Sequence, residues 1–199
     1  MTIHDASGRE ISRLRPTVAA GLNRVVWNLR YADVVTPRPG AAVQQFGFGG
    51  SGGRVQGPWV MPGEYTVRLA VGGTTREQKV RVMNDPRITL TGPALVAWHD
   101  SLVALGGMIR TFAPRADAVA ALKARLDSLP AAQRGRTAVQ MRELNDVAEL
   151  AGEFRSRLTG LYNEMGNWAG AITADQRSQL AYYREFLGRL EPRIGTVMR

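Results

Sequence analysis

The chain contains no cysteine. Disulfides, thiolate metal ligands and cysteine nucleophiles are therefore excluded. Histidine is nearly absent: His4 and His99 are the two imidazoles available for proton transfer. Lysine is scarce as well. Of 26 basic residues only Lys79 and Lys123 are lysines, so arginine carries the net charge of +9. No apolar run approaches the ~20 residues a membrane-spanning helix needs. The opening "MTIHDASGRE" has no apolar core of the signal-peptide kind. The expectation is either a cytoplasmic chain or a Met1 that is not the start of the natural precursor.

The positive excess is spread rather than concentrated. Residues 1–90 hold twelve basic and six acidic side chains, and residues 91–199 hold fourteen and eleven. Such a charge favours anionic partners, namely nucleic acid, acidic protein faces or lipid headgroups. With no basic run to focus it, a diffuse solvated surface is the simpler reading. Nucleic acid is disfavoured further because Trp27 and Tyr31, the aromatics beside Arg24 and Arg30, alternate toward a core.

Residues 1–90 read as β. Asp5-Ala6-Ser7-Gly8 is a turn between two short β-prone runs. In "GLNRVVWNLRY" the apolar residues Val25, Trp27, Leu29 and Tyr31 alternate with polar Asn28 and Arg30, which predicts a strand with one wet face. "GEYTVRLAVGG" repeats the alternation with Tyr65, Val67, Leu69 and Val71, and Gly72-Gly73 then predicts a two-residue hairpin turn. The return strand "TTREQKVRVMN" is expected to point Val80 and Val82 inward. Short strands with regular turn signals predict an antiparallel sandwich.

Between these runs lies "QQFGFGGSGG", which contains the dinucleotide spelling Gly47-x-Gly49-x-x-Gly52. That motif binds pyrophosphate only between a strand and a helix N-terminus. Here Pro37 and Pro39 precede it, Pro58 and Pro62 follow it, and no helix can start there. Val55 falls one place too late for a kinase-type loop, and no Gly-Lys-Ser/Thr forms a P-loop. The segment reads instead as a long surface loop over about residues 33–57, with Phe46, Phe48 and Trp59 as apolar side chains to dock and Arg54 as a cation beside them.

Residues 91–199 read as α. Thr91 is a candidate cap with Pro93 in the first turn, and Leu95, Trp98, Leu102, Leu105 and Ile109 recur at helical steps. Pro114 kinks or splits this helix before Val119, Leu122, Leu126 and Leu129. A second helix follows a Thr137 cap, with a stripe at Met141, Leu144, Val147, Leu150 or Ala151, Phe154, Leu158 and Leu161. A third follows Thr173, with Leu180, Tyr183, Leu187 and Leu190. Three amphipathic helices of this length predict an antiparallel bundle.

No catalytic constellation emerges. Trp98-His99-Asp100-Ser101 contains triad letters, but successive helical residues diverge and cannot relay a proton. His99 reads as a helix-surface residue, and His4 as part of the first strand beside a turn aspartate. No metal-ligand spacing is present. Glu143, Asp146, Glu149 and Glu153 read as a solvated helix face paired with nearby arginines.

Two segments carry a family resemblance: Gly21-Leu22-Asn23-Arg24 running to Trp27-x-Leu29-Arg30, and Pro62-Gly63-x-Tyr65-Thr66-Val67. With the exit Asn84-Asp85-Pro86-Arg87, they resemble the C-terminal region of bacterial secreted sortilin-like or BNR-repeat propeller proteins, often labelled glycosyl hydrolases. The Trp strand followed by the Pro-Gly-x-Tyr strand is also similar to the Ig-like domain of flagellar hook-capping proteins. The resemblance covers nearly the whole chain and is strongest over residues 1–90. It implies an Ig/fibronectin-like sandwich and a periplasmic or extracellular home. It brings no glycosidase chemistry, because the propeller that would carry it is absent from the sequence.

The resulting expectation is an α+β chain, with an Ig-like β-sandwich over 1–90 and a three-helix antiparallel bundle over 91–199. Its function is that of a non-enzymatic accessory subunit or scaffold without cofactor or metal, docking on other protein subunits at the outer face of a larger, membrane-bound assembly. Phe46, Phe48, Trp59 and Arg54 are the candidate partner-binding residues. The alternative is a carbohydrate- or cell-surface-binding accessory domain of a propeller-type hydrolase.

Overall fold

The computed structural model describes residues 1–17, 19–36, 54–90 and 92–199. Four strands precede three helices: β1 (Thr2–His4), β2 (Glu10–Arg13), β3 (Gly63–Val71), β4 (Thr74–Val82), α1 (Gly92–Asp127), α2 (Ala138–Asn167) and α3 (Ala174–Val197), with a short 3-10 turn at Ala131–Gln133. The chain divides into two compact units, Met1–Asp100 and Ser101–Arg199. The first nine residues of α1 thus belong to the first unit.

In the first unit the strands form one antiparallel sheet in the order β2-β1-β3-β4. The β1–β2 turn is built by Asp5. Its Oδ1 accepts from the Ser7 amide at 3.0 Å, the Ser7 hydroxyl at 2.6 Å and the Arg9 amide at 3.1 Å. The Ser7 hydroxyl and these amides hold the Asp5 carboxyl below its usual range despite some desolvation. Gly8 takes φ 82°, which a side chain would resist. His4 ties the turn from behind. Its Nδ1 lies 3.0 Å from the Gly8 carbonyl, which only accepts, so Nδ1 carries the proton, and Nε2 meets the Thr2 hydroxyl at 2.9 Å. Both ring nitrogens are engaged in structure.

The β3–β4 hairpin turns on Gly72 and Gly73 at φ 55° and 80°, the signature of a two-residue type I′ turn. Its ladder runs from Gly63↔Val82 to Val71↔Thr74. Ile3, Ile11, Val60 and Tyr65 form the core at its base, with Leu14, Trp27, Tyr31, Val67 and Val82 packed around them. Toward the tip the cover ends. Leu69 is 38% exposed, Val71 64% and Val80 37%. Val80, opposite buried Tyr65 and on the same face as Val82, stands on the core side but is only partly covered, while Val82 is the residue that packs.

The segment 22–31 is not a strand. Leu29 sits at φ 56°, a left-handed conformation that ends an extended run, and Leu22 and Val26 are exposed. Trp27 nevertheless reaches the core, edge-on to Tyr65 at 5.5 Å. The chain beyond it pairs irregularly, with bridges Arg30↔Trp59 and Val35↔Val55 and a bond from the Ala32 amide to the Ile11 carbonyl at 2.7 Å. One four-stranded sheet followed by three helices is thus the architecture of the described residues.

In the second unit α2 and α3 each open on a full capping box. The Thr137 hydroxyl accepts from the Gln140 amide and the Thr173 hydroxyl from the Gln176 amide, with both glutamine side chains answering the cap amides. The Thr91 cap expected for α1 lies outside the described residues. α1 runs unbroken through Pro114. Phe112, Ala113, Ala116 and Val119 are buried on both sides of it, and this packing outweighs the one backbone bond that proline deletes. The α2 stripe Leu144, Val147, Ala151, Phe154, Leu158 and Leu161 is buried as its period predicts. Phe154 centres an aromatic cluster, edge-on to Phe112 at 5.1 Å and to Tyr183 at 5.7 Å, and tilted against Phe186 at 4.9 Å. Ion pairs join the helices at the rim: Arg193–Glu143 at 2.9 Å, Arg155–Asp117 and Arg115–Glu191.

Candidate functional site

Trp59 and Arg54, two of the four predicted contact residues, lie on the segment that returns toward β3. Phe46 and Phe48 lie outside the described residues. Trp59 is 39% exposed, which is high for a residue able to bury so much apolar surface. The Arg30 guanidinium sits over its ring at 3.7 Å from the centroid. That arginine is held from three sides. Its Nη1 donates to the Gly57 carbonyl at 2.9 Å, its amide donates to Asn28 Oδ1 at 3.3 Å, and its carbonyl accepts from Trp27 Nε1 at 3.0 Å. Backbone bonds from the Tyr31 amide to Pro58 and from the Val60 amide to Leu29 fix the two segments against each other.

Gly57 is required at this crossing. A Cβ there would stand 2.3 Å from the Tyr31 carbonyl oxygen and 2.4 Å from that of Ala32. Arg54 is tied down nearby by a forked pair with Asp33, at 2.8 and 3.2 Å. The arrangement is a half-exposed indole pinned under a guanidinium, with the Arg54–Asp33 fork on the same returning segment. It offers shape and apolar area to a ligand. The indole–guanidinium stack escaped the sequence reading because its partners are 29 positions apart; the alternation that places Arg30 beside Trp27 is the signal that could have suggested it.

His99 departs from expectation. The sequence predicts a helix-surface residue; it is 9% exposed, with its ring 5.6 Å from that of Tyr31. The signal was present, since His99 lies four residues after Leu95 and three before Leu102, on the apolar stripe. Its Nδ1 lies 3.5 Å from Asp100 Oδ1, and its Nε2 is buried without a hydrogen-bond partner. Burial pushes its pKa below the ordinary 6.5. Burial likewise raises Tyr31, and it pushes Tyr65, whose hydroxyl donates to the Met61 carbonyl at 2.6 Å, up to about 12. With Nε2 sealed from solvent, His99 has no reach to a substrate atom.

Concavities also lie elsewhere among the described residues. A cleft of about 290 Å³ between the β1–β2 turn and β3–β4 is lined by His4, Asp5, Glu64, Arg68, Glu77 and Lys79. Its charges satisfy one another, with Arg68–Glu77 at 2.6 Å and Lys79–Glu64 at 4.0 Å. A groove of about 190 Å³ on the helices is lined by Phe154, Phe186, Tyr182, Glu153 and Arg157. Among the described residues no group of three metal-ligating side chains occurs, and no helix is long and apolar enough to cross a membrane. No protein-family profile, no curated protein and no solved structure matches this chain.

Proposed function

We propose that the chain is a non-enzymatic interaction module, an accessory subunit that anchors to a protein partner through Trp59. The observation that carries this reading is the pinned, half-exposed indole: Arg30 and the Gly57 crossing fix it before any partner arrives. A large aromatic held rigid at the surface loses little freedom on binding, which is the property of an interface hot spot. The Ig-like character suggested by the Trp27 and Pro62-Gly63-x-Tyr65 segments belongs to this proposal. The periplasmic setting at the outer face of a larger assembly rests on the same resemblance.

The test is co-purification of the tagged full chain from its native cells, wild type against Trp59→Ala. Loss of a stoichiometric subunit with an unchanged melting temperature supports the reading. Retention of every partner by Trp59→Ala overturns it.

The exposed ring also favours a second reading, a carbohydrate-binding accessory domain, since sugars stack on such surfaces. Arg30 stacks on the indole at 3.7 Å from its centroid, so a sugar would share the ring with that guanidinium. Retardation of the wild type but not of Trp59→Ala in polysaccharide-containing native gels would select this reading.

A further inference from the structure

We propose that β4 is a self-complementary edge through which two copies of this chain pair antiparallel, joining their sheets into one of eight strands. This inference is independent of Trp59. β4 closes the sheet on one side, and eight of its nine residues are exposed. A strand of this length with one open edge is a template for another strand.

The backbone phase limits how a second strand can add. The two-residue turn makes Val71 and Thr74 a hydrogen-bonded pair, so in the ladder Thr74, Arg76, Gln78, Val80 and Val82 direct their amides and carbonyls at β3. Thr75, Glu77, Lys79 and Arg81 direct theirs outward. The only side-chain bond to these outward groups among the described residues, from Gln78 Nε2 to the Lys79 carbonyl, is long at 3.4 Å and yields to a partner amide. Two copies related by a two-fold axis must set outward groups against outward groups, which requires the axis to pass through a residue rather than between two.

Charge then selects the residue. An axis through Glu77 sets Glu77 against its own copy, and an axis through Lys79 does the same to Lys79; both juxtapose like charges. An axis through Gln78 sets Glu77 opposite Lys79 of the second copy, and does so twice. It sets Arg76 opposite Val80, Thr75 opposite Arg81 and Thr74 opposite Val82, so no like charges face. Gln78 is also the midpoint of Thr74–Val82, so this register gives full overlap. The intrachain pair Arg68–Glu77 extends across the junction as Arg68, Glu77, then Lys79 of the second copy, alternating in sign. One strand pairing buries a small interface, so the dissociation constant should be micromolar, and the +9 charge of each copy makes the pairing salt-sensitive.

The test uses the full chain and sedimentation velocity from about 1 to 500 μM, with amide exchange by NMR. The wild type should show a monomer–dimer equilibrium in which the Glu77 and Lys79 amides gain protection with concentration, while those of Gln78 and Val80, already bonded to β3, do not change. Glu77→Lys sets lysine against lysine, and Lys79→Glu sets glutamate against glutamate. Each alone should weaken self-association about tenfold or more. Mixing the two variants restores opposite charges at both positions, so an equimolar mixture should dimerise while neither component does. A wild type that stays monomeric throughout the range overturns the proposal. So does a mixture no more associated than its components, or protection that rises at amides other than those of Thr75, Glu77, Lys79 and Arg81.

Discussion

Removing the Trp27 indole should cost the first unit about 3–5 kcal/mol. The ring buries at least roughly 150 Å² of apolar surface, worth ~4 kcal/mol at 25 cal/mol/Å². Partial exposure and a compact unfolded chain reduce that to about 2–3 kcal/mol. Loss of the edge-on contact with Tyr65 adds about 0.5–1 kcal/mol. Loss of the Nε1–H bond to the Arg30 carbonyl adds a similar amount. Trp27→Phe keeps a ring against Tyr65 and loses mainly that bond, so about 1–1.5 kcal/mol is expected. Urea unfolding followed by fluorescence checks both values. A Trp168→Phe background removes the exposed tryptophan of the second unit and leaves Trp59 and Trp98 as reporters of the first. The midpoint should fall at constant slope. A Trp27→Ala loss below about 1 kcal/mol, or a phenylalanine as costly as alanine, would refute the assignment of Trp27 as the lid on the Tyr65 core.

The parts of the fold legible in the sequence are those decided locally. Asp5 through Gly8 and Gly72-Gly73 are turns because of what those residues do to their own backbone. The stripes of α2 and α3, and the Thr137 and Thr173 caps, follow from period and side-chain reach within one turn. Segment 22–31 failed for the complementary reason. Its alternation is real, and Val25, Trp27 and Tyr31 are partly buried as it requires. But Leu29 turns left-handed to meet Val60, a pairing no local rule contains. β4 carried its own warning: Arg76 and Gln78 occupy the positions that continue the Val80 face, so that face could not be buried to the tip. At the candidate site, Trp59 was legible as an aromatic without a strand to bury it. The residues that give it a fixed pose, Arg30 and Gly57, were not, because they meet it only through tertiary pairing.

Four further outcomes follow from particular contacts. Gly57→Ala should lose about 1–3 kcal/mol, because its Cβ would overlap the Tyr31 and Ala32 carbonyls; unchanged denaturation would show that the 29–35 and 55–60 segments are not in contact. Thr173→Ala should remove the α3 capping box for about 1 kcal/mol of second-unit stability, read from the thermal midpoint. Pro114→Ala should raise that midpoint with no loss of helical circular dichroism, since α1 already runs through the site; a loss of helicity would mean that proline starts a separate helix. The fourth concerns acid. In the folded chain burial holds His99 below its ordinary 6.5, Arg9 nearby adds to the effect, and Asp100 opposes it. Protonation would place an N–H on Nε2, a buried atom with no acceptor. The unfolded chain therefore binds the proton at higher pH than the folded one. Stability should decline as pH drops below about 6.5 and level off once the folded form is also protonated. Over that window the slope due to one group cannot exceed about 1.4 kcal/mol per pH unit. His99→Phe keeps a ring against Tyr31 and cannot titrate, and His4, present in both proteins, cancels in the comparison. The difference in urea midpoint between wild type and His99→Phe should thus be flat from pH 8 to 7 and move in favour of the variant from pH 6.5 to 5. A difference that stays flat to pH 5 would mean that Nε2 reaches water and that the first turns of α1 are not seated against Tyr31.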